Sequence, residues 1–567
     1  MCGIFFYIDL NGGGGGSAEE VVDQAAAVSK LAHRGPDAST TVVVGRATLG
    51  FHRLAIVAGG GDGGMQPMRA GRWALLCNGE VYNHAALAGP DGPLMRSDVD
   101  VVLLLLARHD GDAAEVASRL DGDFAFVAYD AETSEFVAAR DPIGVRPLFY
   151  GIASGSGEKV GEGIEIVAFA SEAKALCGLP GVDDVRVFPP GHAYSSKTRR
   201  FSRYFDALVA SSSASRVLDA DEDAADLVFG ELEAADLVFG ELEAAVKKRI
   251  EHGDVSDVVG VLCSGGVDSA AITCIARRLL LLRSSDPARK MKVFTMRYRE
   301  GRSDDAFYAG LLCAHLGVDH RTFEFGPEDL GEETIAAVIR ACETCDPNTV
   351  RAAVPMYLLA KAIRADAREV KVVLSGEGAD ELFGGYNYFR FAPDAASASD
   401  ECDRLLRNLH MFDLLRADRC FAAHGLEVRV PFLDPALVQC VRTRVTPERR
   451  VSGEKQLLRD AVAGVDEALS RFRILDRPKE KFSDGAGFTY VPDLLRRIAS
   501  TAEGGDDGTL GTRLAAEKAL YRRLFDREFS AAGPSRDAWV VARKLPGWEE
   551  VDARQRLGGG AGSATRW

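Results

Sequence analysis

The stretch Val261-Leu262-Cys263-Ser264-Gly265-Gly266-Val267-Asp268-Ser269 decides the fold of the larger half of this chain. Its first three residues read as the end of a buried strand, Ser-Gly-Gly as a tight turn, and the apolar run that follows as a helix. A glycine-rich turn at a strand end lets backbone N–H groups approach a phosphate, and the next helix N-terminus favours negative charge. The pattern is not G-x-x-x-x-G-K-[ST], which disfavours a kinase-type P-loop. Working outward, 258–263, 292–296 and 370–374 are strand candidates separated by longer helical patterns. That alternation predicts an α/β C-terminal domain over 224–545, a parallel sheet covered by helices. After the run at 370–374 comes a second polar, glycine-rich cluster, Ser375-Gly376-Glu377-Gly378-Ala379-Asp380-Glu381.

The first 205 residues follow another rhythm. Short β-like runs at 4–8, 41–44, 73–77, 124–129, 135–139 and 166–170 are punctuated by turn residues. They predict an α+β N-terminal domain, an antiparallel β sandwich flanked by a few helices. Residues 206–223, rich in Ser, Ala and Asp, read as a linker, and 546–567 as a mobile tail. Asn11 precedes five glycines, read as a flexible loop insertion. The decapeptide at 225–234 recurs unchanged at 235–244. Ten residues turn a helix face by roughly 280°, so both copies cannot present Leu and Phe on one face of a straight helix. The second copy, which runs into Ala245-Val246-Lys247-Lys248, is expected to hold the native helix.

At 567 residues, with 47% hydrophobic and 27% charged side chains, the chain is an ordinary globular protein of several domains. Its 68 Lys+Arg against 84 Asp+Glu give a net charge of −16. That argues against a nucleic-acid or anionic-membrane binder while leaving room for one phosphorylated small molecule. No apolar run spans about 20 residues, and no secretory signal is visible. Eleven scattered cysteines fit reduced thiols, so the cytosol is expected. Cys342 and Cys345 form one C-x-x-C, read as two thiols on an ordinary helix.

The chain starts Met1-Cys2-Gly3-Ile4. Removal of Met1 would leave Cys2 with a nucleophilic thiol beside a free α-amine, whose pKa near ~8 suits it to take the thiol proton. Asn78-Gly79-Glu80 follows the strand-like 74–77. An Asn amide and a Gly N–H at a strand end can form an oxyanion hole. Arg53 can grip a carboxylate with two prongs, and Asp98 can pair with an ammonium group. Together with His33-Arg34-Gly35-Pro36-Asp37 and Arg140-Asp141-Pro142-Ile143-Gly144-Val145-Arg146, these motifs resemble the class II glutamine amidotransferases, an Ntn-hydrolase type of fold. In the C-terminal half Ser264 to Ser269 resemble the pyrophosphate loop of ATP pyrophosphatases, of the adenine nucleotide α-hydrolase type. With Asp346-Pro347-Asn348-Thr349-Val350-Arg351, Leu426-Glu427-Val428-Arg429-Val430-Pro431-Phe432-Leu433-Asp434 and Arg477-Pro478-Lys479, the chain resembles the glutamine-hydrolysing asparagine synthetases over about 2–205 and 235–545.

The resemblance implies specific roles. Cys2 would attack the glutamine amide, with Asn78 and Gly79 holding the oxyanion. Arg53, Leu54, Ala55, Ile56, Val57, Glu80 and Asp98, with Asn78 and Gly79, would bind glutamine. Leu262, Met296, Ser375 and Gly376 would line the adenosine site, and Ser264, Gly265, Gly266, Val267, Asp268 and Ser269 would hold pyrophosphate. Arg351 and Lys479 would neutralise phosphate charge, Glu377 would act on the β-aspartyl-AMP intermediate, and Asp380 would assist aspartate. Asp268 and Asp380 would hold Mg²⁺. ATP, glutamine and aspartate would be the substrates, AMP and pyrophosphate would leave with asparagine and glutamate, and a homodimer is implied. Asn348 stands where a hydroxyl residue is expected, and Met296 where a smaller apolar one is common. Amidation of another carboxylate, or a catalytically silent storage or stress protein of the same fold, are the rival readings.

Overall fold

The computed structural model describes residues 1–9, 18–57, 62–90, 92, 95–153, 163–205, 231–252, 258–282, 291–299, 303–478, 491–502, 509–530, 546 and 548. The glycine run, the linker, the first part of the duplicated segment, Lys479 and the tail beyond Trp548 lie outside these residues. In chain order the N-terminal strands are β1 (Gly3–Ile8), β2 (Ala38–Val44), β3 (Ala47–Arg53), β4 (Met68–Ala70), β5 (Trp73–Val81), β6 (Gly122–Asp130), β7 (Phe136–Arg140), β8 (Phe149–Ala153), β9 (Ile166–Ala170), β10 (Val182–Val187), β11 (His192–Ser195) and β12 (Arg200–Arg203). They form two six-stranded antiparallel sheets, β10-β8-β9-β1-β3-β2 and β12-β11-β7-β6-β5-β4.

Alternation along β1 explains the layers. Ile4, Phe6 and Ile8 join Leu49, Leu76, Val127 and Phe136 in the core between the sheets. Phe5 and Tyr7 face the other way, onto Val28 and Leu31. Side chains on a strand point alternately to opposite faces, so a strand sandwiched between two layers is apolar throughout. Helices α1 (Ala18–Ser29) and, on the far side, α2 (Asp100–Arg108) with α3 (Ala113–Arg119) complete four layers.

The C-terminal strands β13 (Val259–Leu262), β14 (Met291–Tyr298), β15 (Asp319–Phe325), β16 (Val372–Leu374) and β17 (Glu427–Arg429) form one parallel sheet in the order β15-β14-β13-β16-β17. Strand order reverses between β13 and β16. In an open α/β sheet the crevice beyond the carboxyl ends of the strands at this switch point is where ligands bind. Ser264–Ser269 follow β13 and Ser375–Gly376 follow β16, so both predicted nucleotide segments sit at that crevice. The helices that matter most here are α4 (Glu231–Glu251), α5 (Val267–Leu281), α6 (Pro347–Asp366) and α7 (Asp413–Ala422).

In α4 the second decapeptide copy supplies buried Ala235, Val238 and Leu242, continued by Ala245, Val246 and Ile250. The native helix therefore runs through that copy, as its junction with 245–248 implied. The Cys342–Cys345 reading needs correction. Cys342 ends the helix Glu332–Cys342, Glu343 turns at φ +55°, and Cys345 lies beyond it. Cys342 Sγ instead faces Cys420 Sγ of α7 at 3.8 Å.

The two halves meet across buried ion pairs. Arg34, fully buried, donates to Glu172 at 2.7 Å and to Asp418 of α7 at 2.8 and 3.1 Å, while its Nε donates to the Cys2 carbonyl at 3.0 Å. Arg419 reaches Glu172 and Glu343. Breaking a buried pair from one side strands a charge, which typically costs about 3–5 kcal/mol. Arg34→Ala is therefore expected to lower the thermal stability of the full chain by about that amount. A loss under about 1 kcal/mol would remove Arg34 from this role.

Candidate active sites and their shared interface

At the N-terminal corner, Cys2 precedes β1 and Asn78 lies near the end of β5. The Cys2 N–H donates to Asn78 Oδ1 at 2.8 Å, and the thiol lies 3.9 Å from the Leu54 carbonyl. Asn78 is fully buried, yet its Nδ2 has no partner among the described residues. A buried amide donor without an acceptor costs roughly 1–3 kcal/mol, so it is a group with a reason to be met by a ligand oxygen. Gly79 has φ +148°, and a Cβ there would lie 2.1 Å from the Asp123 carbonyl, so β5 can approach β6 this closely only with glycine. Burial pushes the Cys2 thiol pKa up, and the adjacent chain-terminal ammonium pulls against it.

Arg53 ends β3 and donates to the Val57 carbonyl at 3.1 Å. Leu54 and Ile56 are buried against Val372 of β16, so the predicted glutamine loop is also a seam to the nucleotide sheet. Ala55 is tied the same way. Its N–H donates to Asp37 at 2.8 Å, and Lys371, just before β16, donates to Asp37 and to the Ala55 carbonyl.

Glu80 and Asp98 are buried side by side. Asp98 accepts from the Val81 N–H at 2.7 Å and from Ser97 at 2.9 Å. Burial works against its charge, but the His252 hydrogen bond and charge, with these donors, hold its pKa below the ordinary value. Glu80 is pushed up by burial, then by Glu427 and Asp98. His252, which completes this cluster, was not singled out from sequence. It is one histidine after a helix, and only the docking of the end of α4 on the N-terminal domain brings it here.

At the nucleotide crevice the Ser264–Ser269 turn is held by its own side chains. Ser269 Oγ accepts from the Ser264 N–H at 3.0 Å and donates to the Gly266 carbonyl at 3.2 Å. Gly265 has φ +68°, and a Cβ would lie 2.5 Å from Tyr308. The second loop is in contact, since a Cβ on Gly376 would lie 3.1 Å from that of Asp268. Met296 is buried on β14, and Leu262 is half-buried at the end of β13.

Lys455, another residue missed from sequence, joins the loops. Its ammonium donates to both Asp268 oxygens at 2.9 and 2.7 Å and to Asp380 at 2.8 Å. It is 1% exposed and sits at φ +56°. Glu377 accepts from Arg416 of α7 at 2.7 Å, and Arg416 also holds Asp413. Arg351, on α6, is paired with buried Glu517, which also accepts from Tyr521. Its guanidinium is thus engaged by the C-terminal helix Leu510–Glu528. Arg477 reaches the Ser264 carbonyl at 2.9 Å and Asp305 at 2.5 Å, two residues before the predicted Lys479. Asn348 is exposed in the first turn of α6, while Asp346 caps that helix through Thr349.

The two corners are joined by an ion chain. The Met1 ammonium is 2.9 Å from Glu427 on β17, and Glu427 also contacts Arg146 at 3.2 Å and Arg429 at 2.8 Å. Arg429 lies 3.5 Å from Glu80, and its carbonyl accepts from the Ser375 N–H at 2.9 Å. The loop that presents Arg146 is rigid by design of its own sequence. Asp141 accepts from four successive backbone N–H groups, 143 to 146, and Arg140 donates to three carbonyls.

Comparisons with known proteins agree with this division. The glutamine amidotransferase domain family matches residues 1–198, and the asparagine synthase family matches 238–401 and 393–551. The probable asparagine synthetase [glutamine-hydrolyzing] of Schizosaccharomyces pombe is 36% identical, over 91% of each chain. Asparagine synthetase [glutamine-hydrolyzing] 1 of Saccharomyces cerevisiae is 34% identical, over 87% of this chain and 86% of that one. The rat asparagine synthetase [glutamine-hydrolyzing] is 33% identical, over 93% and 94%. With a match of this length in both halves, the chain belongs to the glutamine-hydrolysing asparagine synthetase family.

Proposed function

We propose that this chain makes asparagine from aspartate, with ATP as activator and glutamine as nitrogen source. The observation that supports it most is the meeting of the two corners across one buried seam, where Arg34 holds both the Cys2 carbonyl and Asp418 of the C-terminal half. Once Met1 is excised, the Cys2 amine takes the thiol proton and sulfur attacks the glutamine amide. Asn78 Nδ2 and the Gly79 N–H hold the oxyanion, ammonia leaves, and water releases glutamate. Arg53 takes the substrate carboxylate, and Glu80 and Asp98 its ammonium group.

In the second half the β-carboxylate of aspartate attacks the α-phosphorus of ATP, forming β-aspartyl-AMP and expelling pyrophosphate. Adenylylation turns a poor acyl donor into a good one. Ammonia then displaces AMP, with Glu377 placed to handle the proton it sheds. Ser264–Ser269 and Lys479 receive the phosphates, and Arg351 supports that face. Asp268 and Asp380 converge on one ammonium, and two hard carboxylates so placed fit Mg²⁺, which would supply charge neutralisation for the phosphates. A passage along the seam would keep ammonia unprotonated and away from water.

No described helix is long and apolar enough to cross a membrane. A cytosolic homodimer working on these three small molecules, without nucleic acid, completes the reading.

The test is pyrophosphate release with aspartate, glutamate and other carboxylates side by side. Aspartate is expected to be the strong substrate; release with another acid but not aspartate would overturn the choice of acceptor. Glu377→Ala should suppress asparagine formation about 100-fold or more, the scale of a lost general base, while sparing glutamine hydrolysis. Unimpaired synthesis would remove Glu377 from its role.

A further inference from the structure

Two buried carboxylates cannot both stay ionised side by side without a cation between them. Here that cation is a side chain. His252, the residue after α4, places Nε2 2.9 Å from Glu80 Oε2 and 3.2 Å from Asp98 Oδ2. Its side chain is 4% exposed, and those of Glu80 and Asp98 are 6% and 2%. The ring packs edge-on against Tyr82 and His84, at 5.0 and 5.6 Å between centroids. Burial opposes a charge on the ring, but the hydrogen bond to Asp98 and the adjoining Glu80 carboxylate raise its pKa to about 9, so it is an imidazolium at neutral pH. Arg429 offers a second positive charge to Glu80 alone, through Nη2 at 3.5 Å, and no ion pair joins it to Asp98 among the described residues. Its Nε is committed to Glu427 and its Nη1 to the Arg249 carbonyl.

The proposed function gives the same two carboxylates another cation, the α-ammonium of glutamine. An imidazolium and an ammonium have the same charge and both donate hydrogen bonds, and they cannot occupy one closed site together. We propose that His252 is an internal stand-in for the α-ammonium of glutamine, filling that subsite until the substrate displaces it. The inference rests on the assignment of Glu80 and Asp98 to the amino-acid end of glutamine.

Its consequence follows from where His252 is attached. The preceding turn of α4 carries Lys248 and Arg249, which pair with Asp434, and Arg249 also contacts Asp123. Seven residues after His252, β13 begins and leads to the pyrophosphate loop. Displacing the imidazole thus acts on the helix end that joins both halves. Any effect of glutamine on the nucleotide site must be returned as an equal effect of nucleotide on glutamine affinity. A site closed by its own cation also withholds idle hydrolysis of glutamine at low concentration.

The experiment is steady-state glutamine hydrolysis by the full chain without aspartate or ATP, for His252→Ala, His252→Gln and His252→Lys. Both neutral variants are expected to lower KM for glutamine about ten-fold, the change produced when a site open one tenth of the time becomes always open. Their kcat should stay within about two-fold, because binding and not chemistry changes. His252→Lys, which keeps a cation, should leave KM at or above that of the native chain. A KM unchanged or raised in both neutral variants overturns the proposal, since the imidazole would then be a support for the carboxylates. Loss of ammonia-dependent synthesis in both also overturns it, because the ring would be holding the fold. Asp98→Asn separates the two readings. If it leaves KM unchanged, the ammonium subsite itself is misassigned. If it raises KM while the His252 variants do not lower it, only the stand-in fails.

Discussion

Cys2→Ala should abolish glutamine hydrolysis, by at least about four orders of magnitude, the loss typical when a covalent nucleophile is removed. Asparagine formation from added ammonium salt should persist at near the native rate. The split follows from the separation of parts. Among the described residues the thiol's hydrogen-bond partner belongs to the N-terminal corner, the Leu54 carbonyl 3.9 Å away. The backbone of Cys2 is pinned independently, its N–H by Asn78 and its carbonyl by Arg34. Deleting the sulfur therefore leaves the seam and the nucleotide crevice in place. If ammonia-dependent synthesis disappears as well, two separable sites are the wrong description. Mass spectrometry is a second check. A mature active enzyme that still carries Met1 would be incompatible with an amine on Cys2 acting as base.

Lys455→Ala is expected to remove aspartate-dependent pyrophosphate release, by about three orders of magnitude or more, with glutamine hydrolysis retained. Such a loss is the scale found for a charge aimed at a transferring phosphoryl group. The lysine is held in a left-handed backbone conformation that costs a non-glycine residue about 1–2 kcal/mol, a strain most often kept where a side chain must reach one place. Its ammonium bridges Asp268 in the pyrophosphate loop and Asp380 after β16, so it is the one described cation that binds both loops of the crevice. Without it two half-buried carboxylates face each other, and stability should fall by about 1–3 kcal/mol, less than for a fully buried pair. Millimolar MgCl₂ should restore part of the lost Tm in Lys455→Ala, by entering between Asp268 and Asp380. Full pyrophosphate release by the variant would refute the assignment, and Tm insensitive to Mg²⁺ would separate those two aspartates from the metal.

Local patterns reported most of the strands that face both a core and a neighbour. The runs at 4–8 and 166–170 became the paired strands β1 and β9, and the run at 258–263 became β13. The strand β15 was not seen, because Asp-His-Arg-Thr-Phe-Glu-Phe is an exposed edge whose only requirement is the ladder with β14. The strand β3 was missed for a different reason. It carries the polar pair His52 and Arg53, and the His52 ring is satisfied by a distant partner, the Val28 carbonyl at 2.9 Å. Arg351 shows the same limit at a site residue. Its motif points to phosphate chemistry, but the sequence holds no sign that Glu517, far along the chain, meets its guanidinium.

What the chain order determines by itself is short-range chemistry. A thiol next to a chain terminus, an Asn-Gly after a strand and a Ser-Gly-Gly turn before a helix each create their function within a few bonds, because backbone N–H direction, φ freedom and neighbouring charge are local quantities. Convergence of side chains from separate elements is not local. His252 between Glu80 and Asp98, Lys455 between Asp268 and Asp380, and Glu427 between Met1, Arg146 and Arg429 exist only because buried charge must find its counter-charge wherever packing has brought one. The lysine bridge was decided by packing within the C-terminal domain, and the other two by the docking of two layered domains, where one half of the protein can sense the other.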